Sequence, residues 1–385
     1  MSQPVIFITA AEASGDAHAA GLIVALRRRL GQVRFVGVGG PRMAQAGCHL
    51  VAQPLERAAM TTSAIAQAPY FWKVIRTAAA AMSECHPAVH VPVDSPALNW
   101  HLAKAARRRH IPVAYYIAPQ VWAWAPWRVR KLRRLTDAVA CILPFEEQYL
   151  RCRGVNARYV GHPVFDDLPL AQPPDLAAAA AGGDWRIALL PGSRPGVIRH
   201  HAPALALVMD RLREKFPKAR FTFAAADAQA AERITRAVGD RPADKEKLPI
   251  VVGPVEETLA RCNFALATSG TVTLQAAHFG LPMVIFYHVR RWAWPMGKLL
   301  IRTRYLSAIN ILAGRELAPE LMPWFGDAGI LADRAIDLLE NPAQLAAQQS
   351  QLLELVAPLR VKPPGSAADN AAQLVIRTAG LASKS

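Results

Sequence analysis

Short apolar runs recur along the chain, and each ends abruptly in a polar or glycine-rich loop that leads into a helix-like stretch. Val5–Thr9 runs into Glu12-Ala13-Ser14-Gly15-Asp16, then into a helical pattern over residues 17–30 that closes on Arg27-Arg28-Arg29 before Gly31. Arg34–Val38 repeats the pattern with the loop Gly39-Gly40-Pro41. Residues 88–93 end in Asp94 and precede a helix over 99–109, while 113–117 and 138–143 read as further strands, each followed by proline. Alternation of this kind predicts an α/β protein with a doubly wound parallel sheet, whose ligands sit at the carboxyl ends of the strands. The polar loops fall at those ends.

The alternation restarts after a break. Residues 168–184 hold Pro169, Pro173, Pro174, an alanine run and Gly182-Gly183, and read as a linker. Beyond it, Arg186–Leu190 and residues 220–224, 248–252, 264–267 and 283–287 are strand-like, with helices between. A chain of 385 residues exceeds one ordinary core. The expected arrangement is therefore two Rossmann-like domains facing a cleft, 1–167 and 185–361, with a helical tail over 362–385.

Within the second half, Leu189-Leu190-Pro191-Gly192-Ser193-Arg194-Pro195-Gly196 ends a strand in two glycines, a serine and an arginine. Such a loop suits a diphosphate: glycine lets the backbone approach phosphate oxygens, a helix N-terminus adds partial positive charge, and arginine pairs with phosphate in a fork. An ordinary strand-to-helix turn has the same composition, so the loop alone leaves both readings open.

Composition narrows the partners. Apolar residues make up 52% and charged residues 19%, which indicates a globular chain. Lys and Arg number 45 against 29 Asp and Glu, a net charge of +16, which favours anionic partners such as nucleic acid, anionic lipid or phosphorylated substrates. The five cysteines form no CxxC pair, so neither a zinc site nor a disulfide framework is expected, and a reduced, cytosolic setting fits. The first apolar run passes straight into Glu12 and Asp16 and reads as a strand rather than a signal peptide. No stretch is long and apolar enough to span a bilayer, which needs about 18 residues or more.

Taken together, the loops resemble the lipid-A-disaccharide synthase family of GT-B-type glycosyltransferases. The resemblance rests on Glu12-Ala-Ser-Gly-Asp16, Phe35-Val-Gly-Val-Gly-Gly-Pro-Arg-Met43, Asp94-Ser-Pro with Asn99, Pro119-Gln-Val-Trp-Ala-Trp124, Leu143-Pro-Phe-Glu146, Gly161-His-Pro163, Leu190-Pro-Gly-Ser-Arg194, Thr268-Ser-Gly-Thr271 and Asn310-Ile-Leu-Ala-Gly-Arg-Glu316, in this order. The chain departs from the family pattern at Ala11, where glycine is usual, at Gln275, where glutamate is usual, at Met60-Thr61 and at Ala308-Ile309-Asn310.

The resemblance implies transfer of 2,3-diacylglucosamine from its UDP derivative to 2,3-diacylglucosamine 1-phosphate, giving a β-1′,6-linked disaccharide and UDP. It implies an acceptor-side first domain carrying Glu12, Ser14, Gly15 and Asp16. It also implies a UDP-sugar-binding second domain carrying Ser193, Arg194, Thr268, Ser269, Gly270, Thr271, Gln275, Asn310, Arg315 and Glu316. Asp94 is the expected general base, and an N-cap for the following helix is the competing reading of the same residue. His18, Glu12 and Asp16 are rival bases. No cofactor is expected: no metal-ligand spacing or Asp-x-Asp motif is present, and Arg194 with helix N-termini can meet the leaving-group charge. A homodimer is the assembly the family implies.

Three stretches set aromatic and aliphatic residues among cations: 68–76, 122–134 and 290–304, which together hold six of the nine tryptophans. This pattern suits an anionic membrane surface, and the expected location is peripheral, on the cytoplasmic face of the inner membrane. A core position for Trp122 and Trp124 is the alternative. A UDP-sugar epimerase on the same fold and a non-catalytic UDP-sugar or lipid-binding relative remain competing functions. A nucleic-acid binder is motivated only by charge and has no supporting motif.

Overall fold

The computed structural model describes residues 3–54, 64–239, 248–292, 294–362 and 364–382. Met60-Thr61 lies outside the described residues. The chain forms two compact units, Met1–Asp166 with Leu359–Ser385, and Asp167–Pro358.

The first unit contains β1 (Val5–Thr9), β2 (Arg34–Val38), β3 (Cys48–Ala52), β4 (Val89–Pro92), β5 (Ala114–Tyr116), β6 (Ala138–Cys141) and β7 (Ala157–Tyr159). The strands pair in parallel as β3-β2-β1-β4 and β5-β6-β7. The bridges His90–Val113 and Val93–Tyr116 set β5 beside β4. Strand order therefore reverses between β1 and β4, the position where doubly wound sheets bind ligands. Every residue of β1 is buried, as the continuous apolar run requires in a sheet covered on both faces. Gly37 is obligatory in β2, because a Cβ there would fall on the Ile8 carbonyl of β1.

On one face, Leu22, Ile23 and Leu26 of the helix Ala13–Leu30 share a core with Ala371, Ala372, Val375 and Ile376 of the helix Ala367–Thr378. The C-terminal residues thus belong to the first unit's packing. On the other face Val74, Ala78 and Met82, spaced four apart on the helix Ala64–Cys85, pack with Leu98, Leu102 and Ala106 of the helix Pro96–Arg107. Fully burying a large aliphatic side chain contributes about 1.5–3 kcal/mol, so these seams hold the layers together.

The second unit contains β8 (Arg186–Leu190), β9 (Arg220–Ala225), β10 (Ile250–Val252), β11 (Phe264–Thr268), β12 (Met283–His288) and β13 (Glu320–Trp324), in the parallel order β10-β9-β8-β11-β12-β13. Its reversal lies between β8 and β11. Residues 168–184, read as a linker from sequence, include the helix Leu176–Gly182, whose Leu176 and Ala179 are buried in this unit's core.

Residues 13–16 differ from the loop expected of them. They form the first turn of the helix, because Gly15 packs tightly against Ala10 and the Val93 carbonyl, and the Asp16 amide donates to the Glu12 carbonyl. The strands β3, β7 and β13 were not foreseen. Their sequences CHLVA, ARY and ELMPW lack the unbroken apolar run of a central strand, because each of the three lies at a sheet edge.

Candidate active site

In the first unit, the loops after β1 and β4 meet at the reversal of strand order. Asp94 and Ser95 follow β4 after Val93, with φ of 48° and 47°. A left-handed backbone in a non-glycine residue costs on the order of 1–3 kcal/mol and survives only where the surroundings enforce it. The enforcement is visible. The Asp94 carbonyl accepts from Asn99 Nδ2 at 2.7 Å and from the Tyr115 hydroxyl at 2.8 Å, and its amide donates to the Tyr116 carbonyl at 3.0 Å. Ser95 Oγ accepts from the Ala11 amide at 3.2 Å, tying the two loops together.

Asn99 is fully buried, and its amide also donates to the carbonyls of Thr9 and Val93. The Thr9 hydroxyl donates to Asn99 Oδ1 at 2.7 Å and so accepts from His90 Nε2 at 3.0 Å. Burial pushes the His90 imidazole down to about 3, which keeps it neutral. Burial first, and the nearby Asp94 charge second, push the Tyr115 phenol well above its ordinary value, so it remains a donor. The backbone of Asp94 is thus fixed from several sides while its side chain stays half-buried.

The structure separates the roles of the other first-unit candidates. Ser95, not Asp94, occupies the N-cap position of the helix Pro96–Arg107, and its side chain makes no cap bond. Glu12 and Ser14 are exposed at the start of the first helix, and His18 is half-buried one turn further on. Asp16 is 2% exposed, and its carboxylate accepts from the amides of Gly40 at 2.8 Å, Arg42 at 3.0 Å and Met43 at 3.1 Å. It therefore caps the short helix Pro41–Gln45 and anchors the glycine loop after β2.

In the second unit, the loops after β8 and β11 flank the reversal. Gly192 has φ of 95°, and a Cβ there would lie 2.8 Å from Val197 Cγ1, so glycine is required. Ser193 and Arg194 are exposed, and Arg194 is the N-cap of the helix Pro195–Lys215 without a side-chain cap bond. Thr268 ends β11, Ser269 and Gly270 turn the chain, and Thr271 opens the helix Thr271–His278, in which Gln275 is half-buried.

One residue the sequence did not single out joins these loops. His201 is 1% exposed; its Nε2 accepts from the His288 amide at 2.9 Å, and its Nδ1 lies 3.1 Å from the Pro191 carbonyl and 3.0 Å from Thr268 Oγ1. Thr268 Oγ1 in turn donates to the Leu190 carbonyl at 2.8 Å. Nδ1 therefore carries the proton. Burial lowers His201 to about 4, so this tautomer persists. One neutral imidazole links the ends of β8, β11 and β12. Only the residue pair His200-His201, two turns into a helix, marked it in the sequence, and that is no signal by itself.

Asn310 is fully buried. Its amide accepts from the backbone of Leu317 and Ala318 and donates to the Ala318 carbonyl and to Glu320 Oε2. Glu320 also accepts from Leu306, Ser307 and the Ser307 hydroxyl, so Asn310 and Glu320 together shape the 314–320 turn. Glu316 accepts from the Glu320 amide, and Arg315 donates to Gln351, both exposed.

No group of three or more His, Cys, Asp or Glu side chains suited to a metal ion occurs among the described residues. No helix among them is long and apolar enough to cross a membrane.

Comparison with known proteins fits this geometry. The model of the lipid-A-disaccharide synthetase family matches residues 6–373. A lipid-A-disaccharide synthase from Myxococcus xanthus is 38% identical over 327 residues, covering 83% of this chain and 84% of that protein. One from Anaeromyxobacter sp. is 35% identical, covering 92% and 95%. Among solved structures, UDP-GlcNAc 2-epimerase from Neisseria meningitidis, bound to UDP-GlcNAc, superposes with a TM-score of 0.61 at 11% identity, covering 98% of this chain and 99% of that one, a likeness of fold. With two doubly wound units of GT-B type and a family match across nearly its whole length, the chain belongs to the lipid-A-disaccharide synthase family of glycosyltransferases.

Proposed function

We propose that this protein transfers 2,3-diacylglucosamine from its UDP derivative to the 6-hydroxyl of 2,3-diacylglucosamine 1-phosphate with inversion at the anomeric carbon, and that Asp94 is the general base. The observation that carries the reading is the clamp on Asp94. A strained backbone and two hydrogen bonds to its main-chain carbonyl fix Asp94 at the strand end where doubly wound sheets bind ligands, which supports a base there.

In a single displacement the acceptor oxygen attacks the anomeric carbon, its proton passes to the Asp94 carboxylate, and the bond from that carbon to the diphosphate breaks, releasing UDP. Glu12, at the N-cap, and Ser14 and Gly15, in the first turn of the helix Ala13–Leu30, serve the acceptor. Asp16 serves it indirectly, through the loop it caps. In the second unit Ser193, Arg194 and the Thr268–Thr271 turn hold the diphosphate, whose developing charge meets the guanidinium and helix amides. Gln275 meets the ribose, while Asn310, Arg315 and Glu316 shape the turn at the uridine side.

The acyl chains of both substrates call for an interfacial location, on the inner face of the inner membrane. Exposed Trp72, Trp127 and Trp292, the last 73% exposed, support this. The assembly, a homodimer on this reading, is measurable by light scattering.

UDP release assayed with and without the monosaccharide 1-phosphate tests the function. Release that requires the acceptor supports transfer. Consumption of the UDP-sugar without acceptor points to an epimerase or hydrolase, and binding without turnover to a non-catalytic relative.

A further inference from the structure

A cavity of about 380 Å³ in the second unit is walled by the loop after β8, the first turns of the helix Pro195–Lys215 and the end of β12. Its charged lining is entirely basic: Arg194, His200, His288 and Arg290, with no carboxylate among the lining residues. The rings of His200 and His288 stack with centroids 4.6 Å apart and planes 17° from parallel. Burial, then Arg199 and Arg290, hold His200 below its ordinary value; burial, then His200 and Arg290, do the same for His288.

Two guanidiniums and two stacked imidazoles thus converge on one hollow, an array of donors complementary to an anion. The first turn of the 21-residue helix, represented in the lining by Gly196 and Val197, adds the positive end of a helix dipole. Val197 and Tyr287 complete the wall between these donors. His201, the remaining histidine of the group, has both ring nitrogens engaged with the protein, so it frames the cavity and leaves the ligand to its neighbours.

We propose that this cavity seats a phosphoryl group, with His200, His288 and Arg290 joining Arg194 as its ligands. The inference rests on the functional reading above for the identity of the phosphoryl donor, which is either the diphosphate of the UDP-sugar or the phosphate of the acceptor.

Calorimetry on the full chain tests it, using UDP, glucosamine 1-phosphate and inorganic phosphate as probes against the wild type, His200→Gln and His288→Gln. His200 lies half-buried on a helix surface, so His200→Gln keeps the test valid if the second variant folds poorly. Charge-assisted hydrogen bonds of this kind are worth about tenfold or more in affinity. Weakening of UDP by that factor assigns the cavity to the diphosphate; weakening of glucosamine 1-phosphate alone assigns it to the acceptor's phosphate. Folded variants that bind all three probes as the wild type does overturn the proposal while leaving the functional reading intact. A wild type that binds inorganic phosphate through these histidines but not UDP sinks the functional reading and keeps the cavity. A wild type that binds none of the probes overturns both.

Discussion

Asn99 Nδ2 donates to the Asp94 carbonyl at 2.7 Å, and this bond links a fully buried polar network to the one carboxylate that follows β4. The network holds the main chain of Asp94.

Two substitutions therefore separate chemistry from framework. Asp94→Asn keeps the carbonyl and both of its donors, so it should melt within a degree or two of wild type and bind UDP normally, yet lose roughly 10²–10⁴-fold in kcat. Asn99→Leu removes one of the two side-chain donors to the Asp94 carbonyl and takes one partner each from the Thr9 hydroxyl and the Thr9 and Val93 carbonyls, so it should cost about 1–3 kcal/mol of stability by urea unfolding and lower turnover as well. If Asp94→Asn turns over at a near-wild-type rate, the base lies elsewhere.

The diphosphate is expected to leave against Arg194 and helix amides, without a divalent ion. Turnover measured after EDTA treatment should match the untreated enzyme. Loss of activity that magnesium restores would contradict this assignment of the leaving-group charge.

Acid should loosen the fold before it protonates the surface carboxylates. His90 and His162 are lowered to about 3 and His201 to about 4, in each case by burial first. Between the unfolded value near 6.5 and those folded values, the unfolded chain binds more protons, so stability is complete above about pH 6.5 and falls as pH drops. Each histidine costs about 1.4 kcal/mol per pH unit in that window. Asp369, held below its usual range by hydrogen bonds from Arg28 and Ser366 despite burial, loses its contribution further down as it protonates. Urea midpoints that stay constant from pH 7 to pH 5 would contradict the neutral assignments.

The interfacial reading calls for salt-sensitive cosedimentation with anionic vesicles. Trp72, Trp127 and Trp292 are 56%, 58% and 73% exposed, while Arg128 stacks over Trp124 at 4.5 Å. Trp122 is different: its indole donates to buried Glu146 at 2.8 Å, so it braces the first unit's loops. Trp72→Ala and Trp127→Ala should weaken binding, and Trp122→Ala should act mainly on stability. Absence of binding at low salt refutes the membrane claim.

The strands that carry the site were legible because each is a central strand built on a run of mostly apolar, buried residues, as in β1, β8 and β11. β3, β7 and β13 escaped because polar residues and a proline interrupt their short apolar stretches. The glycine loop after β8 was legible because Gly192 has to adopt a positive φ beside Val197. The polar frame was not. His201 contacts Pro191, Thr268 and His288, and Asp16 caps a helix 24 residues onward, so neither role leaves a local pattern. Asn310 carried a motif but not its meaning, since all its amide bonds in the structure go to its own turn.

The most direct test of the account is to incubate the protein with UDP-2,3-diacylglucosamine and 2,3-diacylglucosamine 1-phosphate and to determine the structure of the product by NMR. The account requires a β-1′,6-linked disaccharide 1-phosphate, formed only when both substrates are present. An α linkage, or a UDP-sugar altered without acceptor, would contradict it.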